Sequence, residues 1–145
     1  MIPDRLEGAE WLERPQVRAI FAALDGAEGR TRAVGGVVRD SLIGRMREHA
    51  DIDMATELLP VAVMQRAKAA GINAYPTGIE HGTVTLRLDE TSVEVTTLRQ
   101  DVVTNGRHAE VAFGTDWVAD AARRDFTLNA LYCLCDGRLF DPLGG

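Results

Sequence analysis

The chain has 145 residues, 46% of them hydrophobic, and a formal net charge of −6. This length and composition suit a single folded domain with its own core, which excludes an intrinsically disordered protein. The acidic balance argues against a domain that clamps nucleic acid by itself. The sequence also lacks an apolar run of the roughly 20 residues that a membrane-spanning helix needs, so we expect no membrane partner.

Apolar spacing, prolines and glycines predict that the first half of the chain alternates helices with short strands. The expected elements are a helix over residues 10–25 that begins at Pro15, a strand at Thr31–Val34, a helix over Val37–Gly44, a strand at Asp51–Thr56 and a helix from Pro60 to Gly71.

The second half is predicted to contain more strands. The expected elements are a strand at Ile72–Tyr75, a hairpin of Thr83–Leu88 with Ser92–Leu98, a long mobile loop over 99–115, helices over Trp117–Arg124 (capped by Asp116) and Phe126–Leu134, and a strand at Leu139–Phe140. Together these elements predict an α/β (α+β) fold, with a small mixed sheet and helices mainly on one side. We expect an N-terminal helical segment over residues 1–30 and a head domain over 31–145.

The segment Ala50–Thr56 carries two carboxylates, Asp51 and Asp53, at positions i and i+2. In a strand these positions face the same side, with Cα atoms roughly 7 Å apart, while the intervening apolar residues pack on the other side. Two anionic groups at that range repel each other unless a cation lies between them. Oxygen ligands select a hard cation such as Mg²⁺. By itself, however, this pattern is more often a pair of solvated carboxylates at a strand end.

The segment Val34–Asp40 reads as a strand, the glycine pair Gly35-Gly36 and then a helix. This arrangement directs backbone N–H groups and the positive helix end at an anion, and glycine lets a phosphate approach the backbone. Arg39, one helical turn further on, could add a forked donor. The segment is neither a Walker loop nor a dinucleotide-binding fingerprint. The alternative is a glycine pair that serves only the tight turn.

Glu94 lies in mid-strand, on the face opposite Val93 and Val95. An unpaired acid is costly to bury, so either this face is exposed or Glu94 meets the metal that Asp51 and Asp53 hold.

The segment Arg123–Leu131 joins two arginines to an acid and an amide. Asp125 and Asn129 share one face if the helix is unbroken, and that face could bind sugar hydroxyls while the arginines bind phosphates. The alternative is a surface helix with an ion-paired start, which contributes little to stability.

Cys133 and Cys135 are too close in sequence for a comfortable disulfide and too few for a zinc site. We expect buried free thiols in a reducing, cytoplasmic environment.

Four segments occur in a fixed order: V-G-G-V-V-R-D (34–40), D-I-D-M-A-T (51–56), V-E-V-T-T-L-R (93–99) and R-R-D-F-T-L-N-A-L (123–131). Together with H-G-T-V-T (81–85), they resemble the head (catalytic) domain of the class II tRNA nucleotidyltransferase (CCA-adding enzyme) and bacterial poly(A) polymerase family. This family lies within the polymerase-β-like nucleotidyltransferases. The last two segments are much more specific than D-x-D, and the similarity covers the chain from about residue 31 onward.

The resemblance implies a two-metal, Mg²⁺-dependent transfer of a nucleotide from ATP or CTP onto an RNA 3′-hydroxyl, with release of pyrophosphate. The favoured reaction is tRNA 3′-CCA addition. By position, Asp51 and Asp53 would bind the metal, and Glu94 would be the third acidic residue. The residues implied for the nucleotide are Gly35, Gly36, Arg39 and Arg124 (or Arg123) on the triphosphate, with Asp125 and Asn129 near the ribose.

Two departures from the family pattern stand out. Ala50 replaces a basic or polar residue that often precedes D-x-D. The base-reading motif E-D-x-x-R belongs to a helical neck expected after Gly145, so the choice between ATP and CTP, and most of the tRNA contact, would lie outside this chain.

Three alternatives remain. Head-domain residues do not separate CCA addition from poly(A) synthesis. A non-catalytic nucleotide- or metal-sensing module of the same fold would have no need of three converging acids. A general DNA polymerase is disfavoured because the chain lacks a basic segment that would bind a duplex.

Overall fold

The computed structural model describes Leu6 and residues 10–42, 52–104, 108–113, 117–122 and 131–141. The helices are α1 (Glu10–Glu13), α2 (Pro15–Ala23), α3 (Gly36–Leu42), α4 (Pro60–Ala69) and α5 (Trp117–Ala122). The strands are β1 (Thr31–Val34), β2 (Ile52–Thr56), β3 (Asn73–Gly78), β4 (Thr83–Leu88), β5 (Thr91–Thr97), β6 (Arg99–Thr104), β7 (His108–Phe113), β8 (Tyr132–Cys133) and β9 (Leu139–Phe140).

The two longest described helices begin where local chemistry predicts, and α4 also ends where it predicts. Pro15 opens α2 and Pro60 opens α4, because proline suits a first turn whose N–H groups have no helical partner. Beyond α4, Gly71 adopts a positive φ of 76°. The Gly71 N–H then bonds to the Lys68 carbonyl at 3.1 Å and the Ile72 N–H to the Ala67 carbonyl at 2.8 Å. This is a Schellman ending, and it confirms the predicted stop at Gly71.

Seven strands form one mixed sheet in the order β3-β4-β5-β2-β1-β8-β9. The central pair β2–β5 is parallel and the other neighbours are antiparallel. The chain between β2 and β5 passes through α4 and the β3–β4 pair, which supplies the crossover that a parallel pair requires. The predicted mixed sheet and the predicted β4–β5 hairpin are therefore confirmed.

The sheet buries its two faces unequally. Helices α1 to α4 cover one face, where Ile52, Met54, Val93 and Val95 join the larger hydrophobic core. On the other face, α5 packs Trp117 and other residues into a smaller cluster. The expectation of helices mainly on one side is therefore confirmed. On the β3-to-β5 half of the second face, none of the helices in the described ranges packs against the sheet, and Glu94 is exposed there.

Two predicted elements are wrong. The predicted loop over 99–115 is wrong for residues 99–104 and 108–113, because β6 and β7 pair antiparallel from Arg99–Phe113 to Thr104–His108. Residues 105–107, 114 and 115 lie outside the described residues. The polar composition of this segment concealed the hairpin signal Asn105-Gly106 in the sequence. The predicted helix over Phe126–Leu134 is also wrong at its end.

At that end, Tyr132 and Cys133 form β8, which pairs with Val34 and Ala33 of β1. Backbone pairing with an otherwise open sheet edge outweighs the local helical pattern here. The start of this predicted helix lies outside the described residues, as do Asp116 and Gly44.

Candidate active site

Asp53 and Glu94 lie side by side at the centre of the sheet. They are register partners in the parallel β2–β5 pair, on strands that lie about 4.8 Å apart. Their neighbours along each strand, Ile52 and Met54 on β2 and Val93 on β5, are nearly fully buried on the opposite face. Asp53 is half-buried and Glu94 is exposed. Alternation along the two strands therefore presents both carboxylates on the same, open side of the sheet.

A glycine turn adjoins Asp53. Val34, the last residue of β1, is the register partner of Asp53 on the side away from Glu94. Gly35 follows with a φ of +78°, and α3 begins at Gly36. A Cβ at Gly35 would lie 3.9 Å from Oδ2 of Asp53, which is an ordinary contact. Backbone conformation, not lack of space, therefore accounts for the glycine, and the turn passes directly beside the acid.

Arg39 lies in α3, which begins at this turn. Its backbone N–H bonds to the Gly35 carbonyl at 3.0 Å, so the first helical turn is closed over the glycine pair. The Arg39 side chain is half-buried.

The two acids belong to a row of register partners that crosses the whole seven-stranded sheet. From β3 to β9, the row contains Tyr75, Thr85, Glu94, Asp53, Val34, Tyr132 and Phe140. Its β3-to-β5 half carries an exposed aromatic ring, a hydroxyl and a carboxylate. Its β1-to-β9 half consists of Val34, Tyr132 and Phe140, which pack against α5. Asp53 marks the boundary between the open half and the covered half.

The covered half is held by several polar and aromatic contacts. The Trp117 indole N–H donates to Oε2 of Glu57 at 2.9 Å. The Arg32 guanidinium lies 4.1 Å from the centroid of the Trp117 ring and 4.9 Å from that of Phe140. Burial lowers the pKa of Arg32, and the nearby Glu57 carboxylate opposes that shift. These contacts fix α5 against the sheet, immediately before Arg123 in the sequence.

The two cysteines are free thiols, with Cys133 buried and Cys135 half-buried. Burial, together with the nearby Asp136 and Cys135, raises the pKa of Cys133 to about 12. The Cys133 thiol is therefore protonated and unreactive at neutral pH. The prediction of free thiols is confirmed.

Of the residues expected at the site, the structure places Asp53 in register with Glu94 and places Gly35 beside Asp53. Gly36 and Arg39 belong to the helix that begins at this turn. Asp51, Arg123, Arg124, Asp125 and Asn129 lie outside the described residues, so their positions stay predictions. Within the part of the chain that is described, no three His, Cys, Asp or Glu side chains form a group that could hold a metal ion. Asp51, an expected ligand, is outside that search.

Sequence reasoning missed two members of the open half, Thr85 and Tyr75. Alternation in T-V-T-L-R-L places Thr85 opposite the buried Val84 and Leu86, so a signal for it was present. Tyr75 had no comparable signal, because β3 is exposed along most of its length and a register shift follows Tyr75.

The family of this chain is shown by a match between its sequence and a protein-family model. The sequence model described as "Poly A polymerase head domain" matches residues 31–145, which is most of the chain. The chain belongs to this family, and the resemblance read from the motifs is confirmed. Its mixed sheet is the polymerase-β-like nucleotidyltransferase fold that the resemblance implied.

The curated relatives are named as CCA tRNA nucleotidyltransferases or CCA-adding enzymes. The chain is 49% identical over 145 residues to the human and mouse proteins named CCA tRNA nucleotidyltransferase 1, mitochondrial, an alignment that covers 92% of this chain and 32% of each relative. It is 43% identical to the CCA-adding enzyme of Oceanobacillus iheyensis over 114 residues, covering 77% of this chain and 27% of the relative. The chain thus spans about a third of the length of these relatives.

Solved structures agree with the fold. The Bacillus stearothermophilus CCA-adding enzyme in complex with CTP superposes with a TM-score of 0.69 at 32% identity, over 91% of this chain and 31% of that one. A tRNA nucleotidyltransferase complexed with a primer tRNA and an incoming ATP analogue superposes with a TM-score of 0.62 at 30% identity, over 85% and 34%. Among the helices in the described ranges, none has the length and apolar character needed to cross a bilayer.

Proposed function

We propose that this chain is the catalytic head of an enzyme that transfers nucleotides from ATP or CTP to the 3′-hydroxyl of tRNA, releasing pyrophosphate and adding CCA. The observation that carries the proposal is the register pairing of Asp53 with Glu94 on the open face, beside the Gly35 turn. The relatives named CCA-adding enzymes and the solved relatives that hold CTP or tRNA with an ATP analogue support this substrate class.

The donor atoms suit a hard divalent cation. Asp53 and Glu94 offer only carboxylate oxygens, and Asp51, two residues before Asp53 in the sequence, would add a third acid. We propose that Asp51 and Asp53 hold Mg²⁺ in a two-metal site and that Glu94 is the third acidic residue. Bound Mg²⁺ would neutralise phosphate charge and lower the pKa of the attacking hydroxyl.

The protein's own residues then orient the substrates. Gly35 and Gly36 let the triphosphate approach the backbone beside Asp53, and Arg39 and Arg124 neutralise its charge. Asp125 and Asn129 contact the ribose. Holding the reacting groups in line is the main work of such a site, because phosphoryl transfer requires positioning and charge stabilisation more than covalent chemistry.

The family description itself supports a second candidate, poly(A) synthesis. The names of the curated relatives favour CCA addition over it. A non-catalytic nucleotide-sensing module is the third candidate, and it predicts nucleotide binding without transfer.

One assay separates these candidates. The natural full-length protein is incubated with Mg²⁺, ATP, CTP and a tRNA transcript that lacks its 3′-CCA, and the products are sequenced. CCA addition supports the proposal, an A-only tail supports poly(A) synthesis, and no extension supports the sensing module. Asp53→Asn should abolish extension while leaving the unfolding transition in place, because asparagine keeps the size and shape of this half-buried side chain and removes only its charge.

The proposal also covers the choice between ATP and CTP and the cellular location of the protein. The chain alone should bind ATP and CTP with less than about a tenfold difference in Kd, since phosphate contacts carry no base information.

We also propose a reducing, cytoplasmic location, which the free thiols support. The human and mouse relatives carry "mitochondrial" in their names, so fractionation of cells that express the natural protein is the test.

A further inference from the structure

The open half of the sheet beyond Glu94 carries polar and aromatic side chains. Tyr75 on β3 and Thr85 on β4 continue the row that contains Asp53 and Glu94. Tyr75 is a large side chain with 46% of its surface exposed. Because each strand step is about 4.8 Å, the Cα of Tyr75 lies roughly 10 Å from that of Glu94.

Threonine hydroxyls surround this row. Thr77 Oγ1 lies 2.7 Å from Thr85 Oγ1, and Thr83 Oγ1 lies 3.0 Å from Thr96 Oγ1. In each pair one hydroxyl donates and the other accepts, so the proton of the accepting hydroxyl is left to donate elsewhere. Donors of this kind bind phosphate and ribose oxygens.

Arg87 adds a cation on the same side of β4 as Thr85, two residues further along the strand. Its side chain is exposed, and its Nε donates a long 3.5 Å bond to the Asp89 carbonyl. An aromatic ring, hydroxyl donors and a guanidinium on one exposed surface make up the chemistry that binds single-stranded nucleic acid.

We propose that this surface, defined by Tyr75, Thr85, Thr83, Thr96 and Arg87, binds the single-stranded 3′ end of the acceptor RNA, with a nucleobase stacked on Tyr75. The proposal rests on the proposed function and names a binding surface for its acceptor.

The position of the two substrates relative to the acids supports this assignment. Gly35, proposed for the triphosphate, adjoins Asp53 on its β1 side. Tyr75 and Thr85 lie on the opposite, β5–β4–β3 side. In-line transfer requires the attacking hydroxyl and the departing pyrophosphate on opposite sides of the reacting phosphorus. An acceptor that enters across β3 and β4 meets this requirement.

The outer edge of β3 is poorly suited to a protein strand. Pro76 lacks an N–H group, and the register shifts between Tyr75 and Gly78. Both features disfavour the addition of a further strand, so the face and not the edge is the available surface.

The test measures RNA affinity without catalysis. The probe is a fluorescent single-stranded oligoribonucleotide with a free 3′-hydroxyl, titrated into the natural full-length protein. Tyr75→Ala should raise the Kd for RNA about tenfold or more, and Tyr75→Phe should retain affinity because the ring still stacks. Val61→Ala is the matched control, since Val61 is 59% exposed on α4, which packs against the other face.

The outcomes separate this inference from the proposed function. The proposal that this surface binds RNA would be overturned if Tyr75→Ala left the Kd for RNA unchanged. It would also be overturned if Tyr75→Ala weakened only the binding of ATP and CTP. Both conclusions hold even if the wild-type protein extends tRNA. A Tyr75-dependent RNA Kd in a protein that extends no RNA would support the surface and overturn the proposed function.

Discussion

Tyr132 donates a 2.6 Å hydrogen bond to Oδ2 of Asp120, and both residues are buried. The bond joins β8 to α5 on the covered half of the sheet, beside the edge-on contact of Tyr132 with Trp117, whose ring centroids lie 4.9 Å apart. It therefore fixes the helix that immediately precedes the R-R-D-F-T-L-N segment in the sequence.

Tyr132→Phe should lower the free energy of unfolding by about 1.5–3 kcal/mol, because the buried carboxylate loses a hydrogen-bond donor while the ring packing is kept. Urea denaturation followed by tryptophan fluorescence measures the change. Tyr75→Phe is the matched control, and its exposed position predicts a change within about 0.5 kcal/mol. Equal stability of the two variants would contradict a structural role for the Tyr132–Asp120 bond.

Glu94→Gln should lower kcat by about 100-fold or more and change the KM for ATP and CTP little. The reason is that Glu94 adjoins Asp53, whereas the triphosphate is proposed on the other side of that acid. Steady-state extension of tRNA by the natural protein provides both constants. Glu90→Gln, an exposed acid in the β4–β5 turn, is the control and should behave as wild type. A kcat within a few-fold of wild type for Glu94→Gln would mean that Glu94 is an ordinary solvent-exposed residue with no role in the reaction.

Gly35→Ala tests the turn beside Asp53. A positive φ of 78° should cost an alanine about 1–2 kcal/mol of stability. Gly71→Ala is a close control, since Gly71 has a φ of +76° and a Cβ there would have no neighbour within 4 Å. Both variants should lose similar stability in thermal unfolding, but only Gly35→Ala should weaken nucleotide binding in a calorimetric titration. Equal nucleotide affinity in the two variants would contradict the proposal that the Gly35 turn binds the triphosphate.

The Cys133 thiol should make the fold sensitive to alkaline pH. Its pKa rises from 9.0 to about 12 in the folded chain, chiefly because of burial. Below pH 9 the thiol is protonated in both states. Between pH 9 and 12 the unfolded chain loses this proton and the folded chain keeps it, so stability falls by up to about 1.4 kcal/mol per pH unit. Denaturation at pH 8.5 and 10.5 should show this loss in the wild type, and a smaller loss in Cys133→Ala. Parallel pH profiles for the two proteins would contradict the prediction.

Much of the fold follows from local signals. Pro15, Pro60 and Gly71 mark helix ends correctly, because a missing N–H and a positive φ act within one turn of the chain. The failures at 99–115 and at Tyr132–Cys133 have a different origin. At Tyr132–Cys133, pairing with β1, which is distant in sequence, outweighs a local helical pattern. In the 99–115 segment, the polar composition concealed a local pairing between β6 and β7.

The amino-acid sequence by itself determined the family, through ordered motifs, and the side of each strand that carries the acids, through alternation with buried residues. Only the tertiary structure decided that Glu94 stands in register with Asp53 and that Tyr75 lies two strands further along the same row. The physical reason is that side-chain direction repeats every two residues within a strand, whereas register is set between strands. For β2 and β5 the register depends on how the intervening crossover packs against the core, and for β3, β4 and β5 it depends on the turns that join them.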